Sequence, residues 1–286
     1  MRIFQSLART PTEAIVELAR VAEDLGFAGV SLSDHLVRPV RVASSYPYSA
    51  DGLMAAASET HYPDVWVAAA AIAQATTRLQ ILSSVYVLPT RDPFTVAKSL
   101  ATAAVLSGDR VMFGIGLGWM REEFELTGQP FEGRGARCDE MLTLIAKLLA
   151  PGPVEHHGAL YDVPPLYMAP TPRRVPPILV GGHSEVALRR AARHDGWLGV
   201  NYPLTDAPAI VARALAARAA ADTAVRTQPF EVALAINEPL DRSMIEELAA
   251  AGVTLLIHPP GPFDPTCCDL AARRGHLQAF ARRAMS

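Results

Sequence analysis

Three stretches of this chain carry residue types that could bind or transform a small molecule. Asp34 and His35 follow the apolar run 29–33 directly. An imidazole beside a carboxylate suits general acid and base work near neutral pH, because the carboxylate can orient the ring and set its proton affinity. The plainer alternative is that Asp34 caps a loop and His35 faces solvent. Residues 111–119 read Val-Met-Phe-Gly-Ile-Gly-Leu-Gly-Trp, an apolar run that ends in Gly114, Gly116 and Gly118. Such glycines strip the Cβ atoms from a strand end, which lets a flat ring or a phosphate approach, or else they form a tight turn. Gly181, Gly182, His183 and Ser184 stand immediately before a helical pattern, where free N–H groups and the helix dipole favour an anion such as a phosphate. A tight strand-to-helix turn with an N-cap explains them equally well. A fourth run, Ser83-Ser84-Val85-Tyr86, is small and β-branched and could form a bulge behind a ring.

The elements that must position these residues alternate. Strands are expected at 3–7, 29–33, 79–86, 111–115, 178–180, near 197–200, at 231–236 and near 253–257. Helices are expected at 11–25, 64–76, 93–107, 137–149, 184–193, 207–226, 241–251 and 269–284. The first helix carries a capping box, Thr10-Pro11-Thr12-Glu13, and ends at Gly26. The strands are apolar throughout, which implies burial on both faces and parallel pairing. Eight strand–helix units make a TIM barrel, the open doubly wound sheet being the rival. Two connections exceed a simple turn: 34–63 after the second strand and 151–177 before the fifth. The first follows a strand and so lies on the catalytic face; the second holds a small hairpin. No domain boundary is visible, and 1–286 is expected to form one barrel domain.

With 286 residues, half of them hydrophobic, the chain can bury a large core. A net charge of -3 without a basic run argues against nucleic acid as a partner. No apolar run nears the ~20 residues of a membrane span, and the N-terminus lacks a signal peptide's apolar core, so a cytoplasmic location is expected. Cys138, Cys267 and Cys268 lack metal spacing and read as reduced packing residues. His156 and His157 are adjacent and lie in the second insertion, with no His-x-His after the first strand, so no metal site is expected. No Ser-centred elbow or Cys/His pairing suggests nucleophilic catalysis.

Five motifs in order resemble the bacterial luciferase-like monooxygenase superfamily, in its branch that uses the deazaflavin coenzyme F420. They are Leu-Gly-Phe-Ala-Gly-Val-Ser-Leu-Ser-Asp-His, Thr-Thr-Arg-Leu-Gln-Ile-Leu-Ser-Ser-Val, Asp-Pro-Phe-Thr-Val-Ala-Lys, Gly-Ile-Gly-Leu-Gly-Trp-Met-Arg-Glu-Glu-Phe and Pro-Pro-Ile-Leu-Val-Gly-Gly-His. The resemblance implies a TIM barrel with the coenzyme ring at the carboxyl ends of the strands. It implies Asp34 and His35 beside the ring, with His35 handling protons during hydride transfer. It places Ser83, Ser84 and Val85 at a bulge behind the ring, where relatives have a non-proline cis peptide. Gly114, Gly116 and Gly118 match the coenzyme-contacting loop, and Gly181, Gly182, His183 and Ser184 the phosphate region. Sugar-phosphate dehydrogenases of the family have glutamate where Trp119 stands and tryptophan where Pro39 stands. That departure points away from a sugar phosphate and toward an apolar pocket, with Trp119, Tyr86 and Met120 as candidate walls.

The resulting expectation is an F420-dependent oxidoreductase that transfers a hydride between the coenzyme and an organic substrate. An FMN-dependent monooxygenase and a non-catalytic flavin or deazaflavin binder are the alternatives, His35 speaking against the last. A homodimer is also expected, because the helix at 64–76 is almost wholly Ala, Val, Ile and Trp.

Overall fold

The computed structural model describes residues 1–49, 51–54, 59–222, 229–261 and 269–285. Eight parallel strands form the frame: β1 Arg2–Ser6, β2 Gly29–Leu32, β3 Gln80–Ser83, β4 Val111–Gly116, β5 Ile178–Gly181, β6 Gly196–Tyr202, β7 Glu231–Ile236 and β8 Leu255–His258. Each pairs with its successor in parallel. The ring closes where Arg2 to Gln5 of β1 lie opposite Leu255 to His258 of β8. A closed ring removes the open doubly wound sheet from consideration, and the fold is a TIM barrel.

Strand alternation divides the apolar residues between two cores, because successive side chains point to opposite faces. Phe4, Leu82, Met112, Leu179, Leu198, Ala233, Leu255 and Ile257 fill the barrel interior. Their alternates, such as Val30, Ile81, Phe113, Val180 and Leu256, pack outward against the helices. This double burial is what makes the strands read as unbroken apolar runs.

The helices are α1 Ile15–Asp24, α2 Val65–Ala75, α3 Pro93–Ser107, α4 Arg121–Leu126, α5 Arg134–Leu148, α6 Glu185–Ala191, α7 Ala207–Ala220, α8 Arg242–Ala250 and α9 Leu270–Phe280. Side-chain caps set several starts. Asp92 accepts from the Thr95 amide with Pro93 in the first turn, and Gly108 closes the other end of α3 in the left-handed region. The capping box expected at 10–13 does not form. Residues Thr12–Ala14 make a 3₁₀ turn instead, because the Thr10 hydroxyl accepts from Arg273 of α9 and the Thr12 amide donates to His61.

Other departures are local. The third strand stops at Ser83 and resumes as a two-residue pair, Tyr86–Val87, alongside the end of β4. The short α4 lies directly after the glycine loop, where no helix was expected. The seventh helix ends at Ala220, and the part of its expected span from 223 to 226 lies outside the described residues, as do Cys267 and Cys268. Cys138 is fully buried in α5, and burial pushes its thiol up to about 12, as for a packing residue. The second insertion carries an antiparallel hairpin, Val154–His157 with Asp162–Leu166. His156 turns inward toward Glu140 and the exposed His157 sits between Glu155 and Asp162, so the two imidazoles point apart.

Candidate active site

The carboxyl ends of β2 to β6 bring the sequence-selected residues to one mouth of the barrel. Asp34, leaving β2, is 5% exposed and receives both Arg91 guanidinium nitrogens at 2.8 Å and the Val87 amide at 2.8 Å. Burial pushes its carboxyl upward, opposed by Arg91 and the Val87 amide. Arg91 also lies over the Tyr86 ring at 4.2 Å. The ion pair therefore ties the end of β2 to the segment after β3, and between them runs the Ser84-Val85 peptide, which is cis.

Asp34 does not hold His35. The His35 Nδ1 instead faces Glu123 Oε2 at 2.9 Å, and the Leu36 amide donates to Glu123 Oε1 at 2.6 Å. Glu123 is 1% exposed, on the first turn of α4. With Nδ1 so engaged, Nε2 is the ring nitrogen left for proton exchange. Tyr62 and Trp119 stand edge-on to the imidazole, ring centres 5.0 and 6.3 Å away. The adjacent Glu122 takes the amides of Ala43 and Ser44 and the Ser44 hydroxyl. Against the cost of burial, the Ser44 hydroxyl and these amides hold its carboxyl down to about 2. Two consecutive carboxylates thus clamp the first insertion onto α4.

The glycines have a shared neighbour in Val85. A Cβ on Gly116 would come within 2.5 Å of Val85 Cγ2, and one on Gly181 within 2.9 Å of Val85 Cγ1. A Cβ on Gly114 would fall on the Ser83 carbonyl oxygen, and the Ser83 hydroxyl donates to the Gly114 carbonyl at 2.8 Å. Gly118, at φ +76°, turns the chain over Phe124 and Val87. These glycines admit the Ser84-Val85 bulge to the mouth, where Val85 packs on the inner core. Their close contacts are thus with the protein itself, and what they offer a ligand is the platform that Val85 forms.

Beyond β5, Ser184 caps α6 by accepting the Ala187 amide at 3.2 Å, and Gly182 adopts φ +126°. His183 lies between Tyr48 of the first insertion and Tyr202 of β6, ring centres 4.6 and 4.4 Å away. Burial lowers its imidazole to about 4, with a hydrogen bond to the Val200 backbone opposing. The buried His183 Nε2 and Tyr202 hydroxyl find no hydrogen-bond partner among the described residues. Of these two unspent polar atoms, the Tyr202 hydroxyl can donate to an incoming anion, whereas His183 Nε2, on a neutral ring whose other nitrogen donates to the Val200 backbone, can accept from an incoming hydroxyl. Of the three residues expected to line an apolar pocket, Tyr86 and Met120 are core, at 3% and 0% exposure, and Trp119 alone borders a cavity. Among the described residues no group of three His, Cys, Asp or Glu is placed to hold a metal ion.

Residues 3–240 match the family model of the luciferase-like monooxygenases. The chain belongs to that family. An uncharacterized protein of Mycobacterium tuberculosis is 33% identical over the whole of this chain and 99% of its own length. An F420-dependent glucose-6-phosphate dehydrogenase of Amycolatopsis mediterranei is 29% identical over 64% of this chain and 52% of its own. The crystal structure of monooxygenase RslO1 from Streptomyces bottropensis superposes with a TM-score of 0.76 at 18% identity, covering 100% of this chain and 99% of that one. Within the luciferase-like frame, sequence reasoning missed Glu123, Arg91, Tyr48, Tyr62 and Tyr202 as members of the site. Glu123 was within the glycine-loop motif itself, and a carboxylate so soon after Gly118 at a strand end was the available signal.

Proposed function

We propose that this protein is a luciferase-like oxidoreductase that uses the deazaflavin F420 and transfers a hydride between it and an organic substrate. The observation that carries the reading is the His35–Glu123 pair at the barrel mouth, beside the Val85 platform. A pure binder gains nothing from a buried carboxylate committed to orienting an imidazole. The similarity to an F420-dependent dehydrogenase favours the deazaflavin over FMN.

The mouth fits such a coenzyme. Val85, between Gly116 and Gly181, offers an apolar face to a ring, the partnerless Tyr202 hydroxyl suits a phosphate of the polar tail, and His183 Nε2 can accept from one of the tail's hydroxyls. F420, when bound, supplies the carbon that accepts or gives the hydride. The protein's part is proton handling and placement. Glu123 accepts the Nδ1–H of His35 and so leaves a lone pair on Nε2. That nitrogen takes the hydroxyl proton as an alcohol becomes a carbonyl, or, once protonated, returns it in the reverse direction. Tyr62 and Trp119 flank the imidazole and limit water around it.

Titrating the purified protein with F420 and with FMN, following fluorescence, tests the coenzyme assignment. Tighter binding of F420 is expected; equal or reversed affinities would move the reading to an FMN-dependent monooxygenase.

We also propose that the protein is a homodimer. The helix α2 buries Trp66, Ala69, Ile72 and Ala73 within its own barrel, yet Val67 is 71% exposed and Val105 and Leu106 of α3 are exposed nearby in the fold. A monomeric mass by light scattering at micromolar concentration would remove this proposal.

A further inference from the structure

The polar atoms beyond β5 are out of a ligand's reach. His183 Nε2 and the Tyr202 hydroxyl are buried from solvent and find no hydrogen-bond partner among the described residues. Leaving both unpaired costs free energy, which a ligand that met them would recover, yet no ligand reaches an atom that water cannot touch. A neighbour must therefore step aside. Much of the surroundings is fixed. Trp197 of β6 packs on Tyr202 at 6.2 Å and donates from its indole nitrogen to the Gly182 carbonyl at 2.9 Å, and Ser184 caps α6 directly after His183. Tyr48 is different, because it comes from the first insertion, and its ring centre lies 4.6 Å from that of His183.

The turn that carries Tyr48 is closed on itself. The Tyr46 amide donates to the Gly52 carbonyl at 2.7 Å, the Gly52 amide to the Ser49 carbonyl at 3.3 Å, and the Ser49 hydroxyl to the Leu53 carbonyl at 2.9 Å. At its base, Glu122 holds Ser44 through both amide and hydroxyl. Tyr46 rests on Trp119 at 5.2 Å and on Tyr48 at 5.4 Å. A turn built this way keeps its shape as it swings about its base, and what the swing breaks at His183 is ring packing.

We infer that Tyr48 is a gate over the polar pair: it leaves His183 so that a ligand's polar tail can reach His183 Nε2 and the Tyr202 hydroxyl, and then closes on that tail. The gate rests on the packing alone; that the entering group is the tail of F420 rests on the proposed coenzyme. Because Tyr46 joins Tyr48 to Trp119, and Trp119 stands edge-on to His35, closure over the tail also sets a ring that flanks the imidazole.

The first test needs no coenzyme. Diethyl pyrocarbonate acylates neutral imidazole nitrogens, and burial lowers His183 to about 4, so at neutral pH its ring is in the reactive form and only access limits it. With a gate open ~0.1–10% of the time, His183 of the full-length protein should react ~10- to 10³-fold more slowly than the exposed His61, as read by peptide mass spectrometry. Tyr48→Ala should bring it within about threefold of His61, and Tyr48→Phe, which keeps the ring, should leave it protected. His258, 3% exposed, should stay protected throughout and so reports that the variants are folded. In stopped-flow mixing, F420 should associate about tenfold faster or more with Tyr48→Ala than with wild type. A wild-type His183 as reactive as His61, or a His183 still masked in folded Tyr48→Ala, would overturn the inference. Unmasking with unchanged F420 association would overturn the gate's part in ligand entry while leaving the coenzyme reading intact. Unmasking in a protein that does not bind F420 would support the gate and sink the coenzyme reading.

Discussion

Glu123 Oε2 lies 2.9 Å from His35 Nδ1, whereas Asp34, the immediate chain neighbour of His35, faces Arg91. The imidazole is therefore oriented by a residue 88 positions away along the chain.

The pairing predicts a tautomer. In wild type, the neutral His35 ring should carry its proton on Nδ1, visible in nitrogen-15 spectra of histidine-labelled protein. In Glu123→Gln the amide can donate to Nδ1 and move the proton to Nε2, and kcat should fall by ~10²-fold or more with little change in melting temperature. An unchanged tautomer with unchanged kcat would make Glu123 a loop anchor through Leu36 alone.

Arg91 is expected to matter to stability. Its partner Asp34 has a side chain only 2% exposed, so Arg91→Met would strand a buried carboxylate at the heart of the mouth. Breaking such a pair costs ~3–5 kcal/mol. Urea unfolding should show that loss near neutral pH, and Asp34→Asn in the same background should recover part of it. A loss under about 1 kcal/mol would show that water reaches the carboxylate.

Much of this was legible from residue type alone. Asp-His at a strand end, glycines two apart after an apolar run and Gly-Gly before a helix are locally unusual, and they converge on one mouth because a barrel puts every strand's carboxyl end there. What the glycines serve was not legible. Gly114 and Gly116 look like clearance for a ligand in the sequence, but the atoms that need the clearance are the Ser83 carbonyl and Val85 of the neighbouring strand. The same holds for Thr10, a plausible cap until Arg273, 263 residues on, is folded against it. Partners that meet only through the barrel's closure leave no local trace.

Stability should fall in mild acid. His258, at the end of β8, stacks on Phe280 at 3.7 Å and on His276 at 4.8 Å, with Nδ1 2.7 Å from Gln5 Oε1. Burial, with His276 and Arg283 adding to it, lowers the imidazole to about 3. The unfolded chain binds a proton near the ordinary value of about 6.5 while the native site refuses it, so its contribution is complete above that pH and is lost as pH falls toward 3. At pH 5 the expected loss from this group is roughly 2 kcal/mol, and His183, lowered to about 4, acts in the same direction. Denaturant midpoints from pH 7.5 to 5 should drop in wild type and drop less in His258→Gln. Parallel curves would mean that His258 titrates normally in the native state.

The central claim is that His35 moves a proton as hydride moves, and single-turnover oxidation of reduced F420 by a panel of ketones and enones tests it most directly. His35→Ala should slow the step by ~10²- to 10⁴-fold while leaving the F420 dissociation constant within a few fold of wild type. Equal single-turnover rates in mutant and wild type, for every substrate that the wild type accepts, would contradict the account.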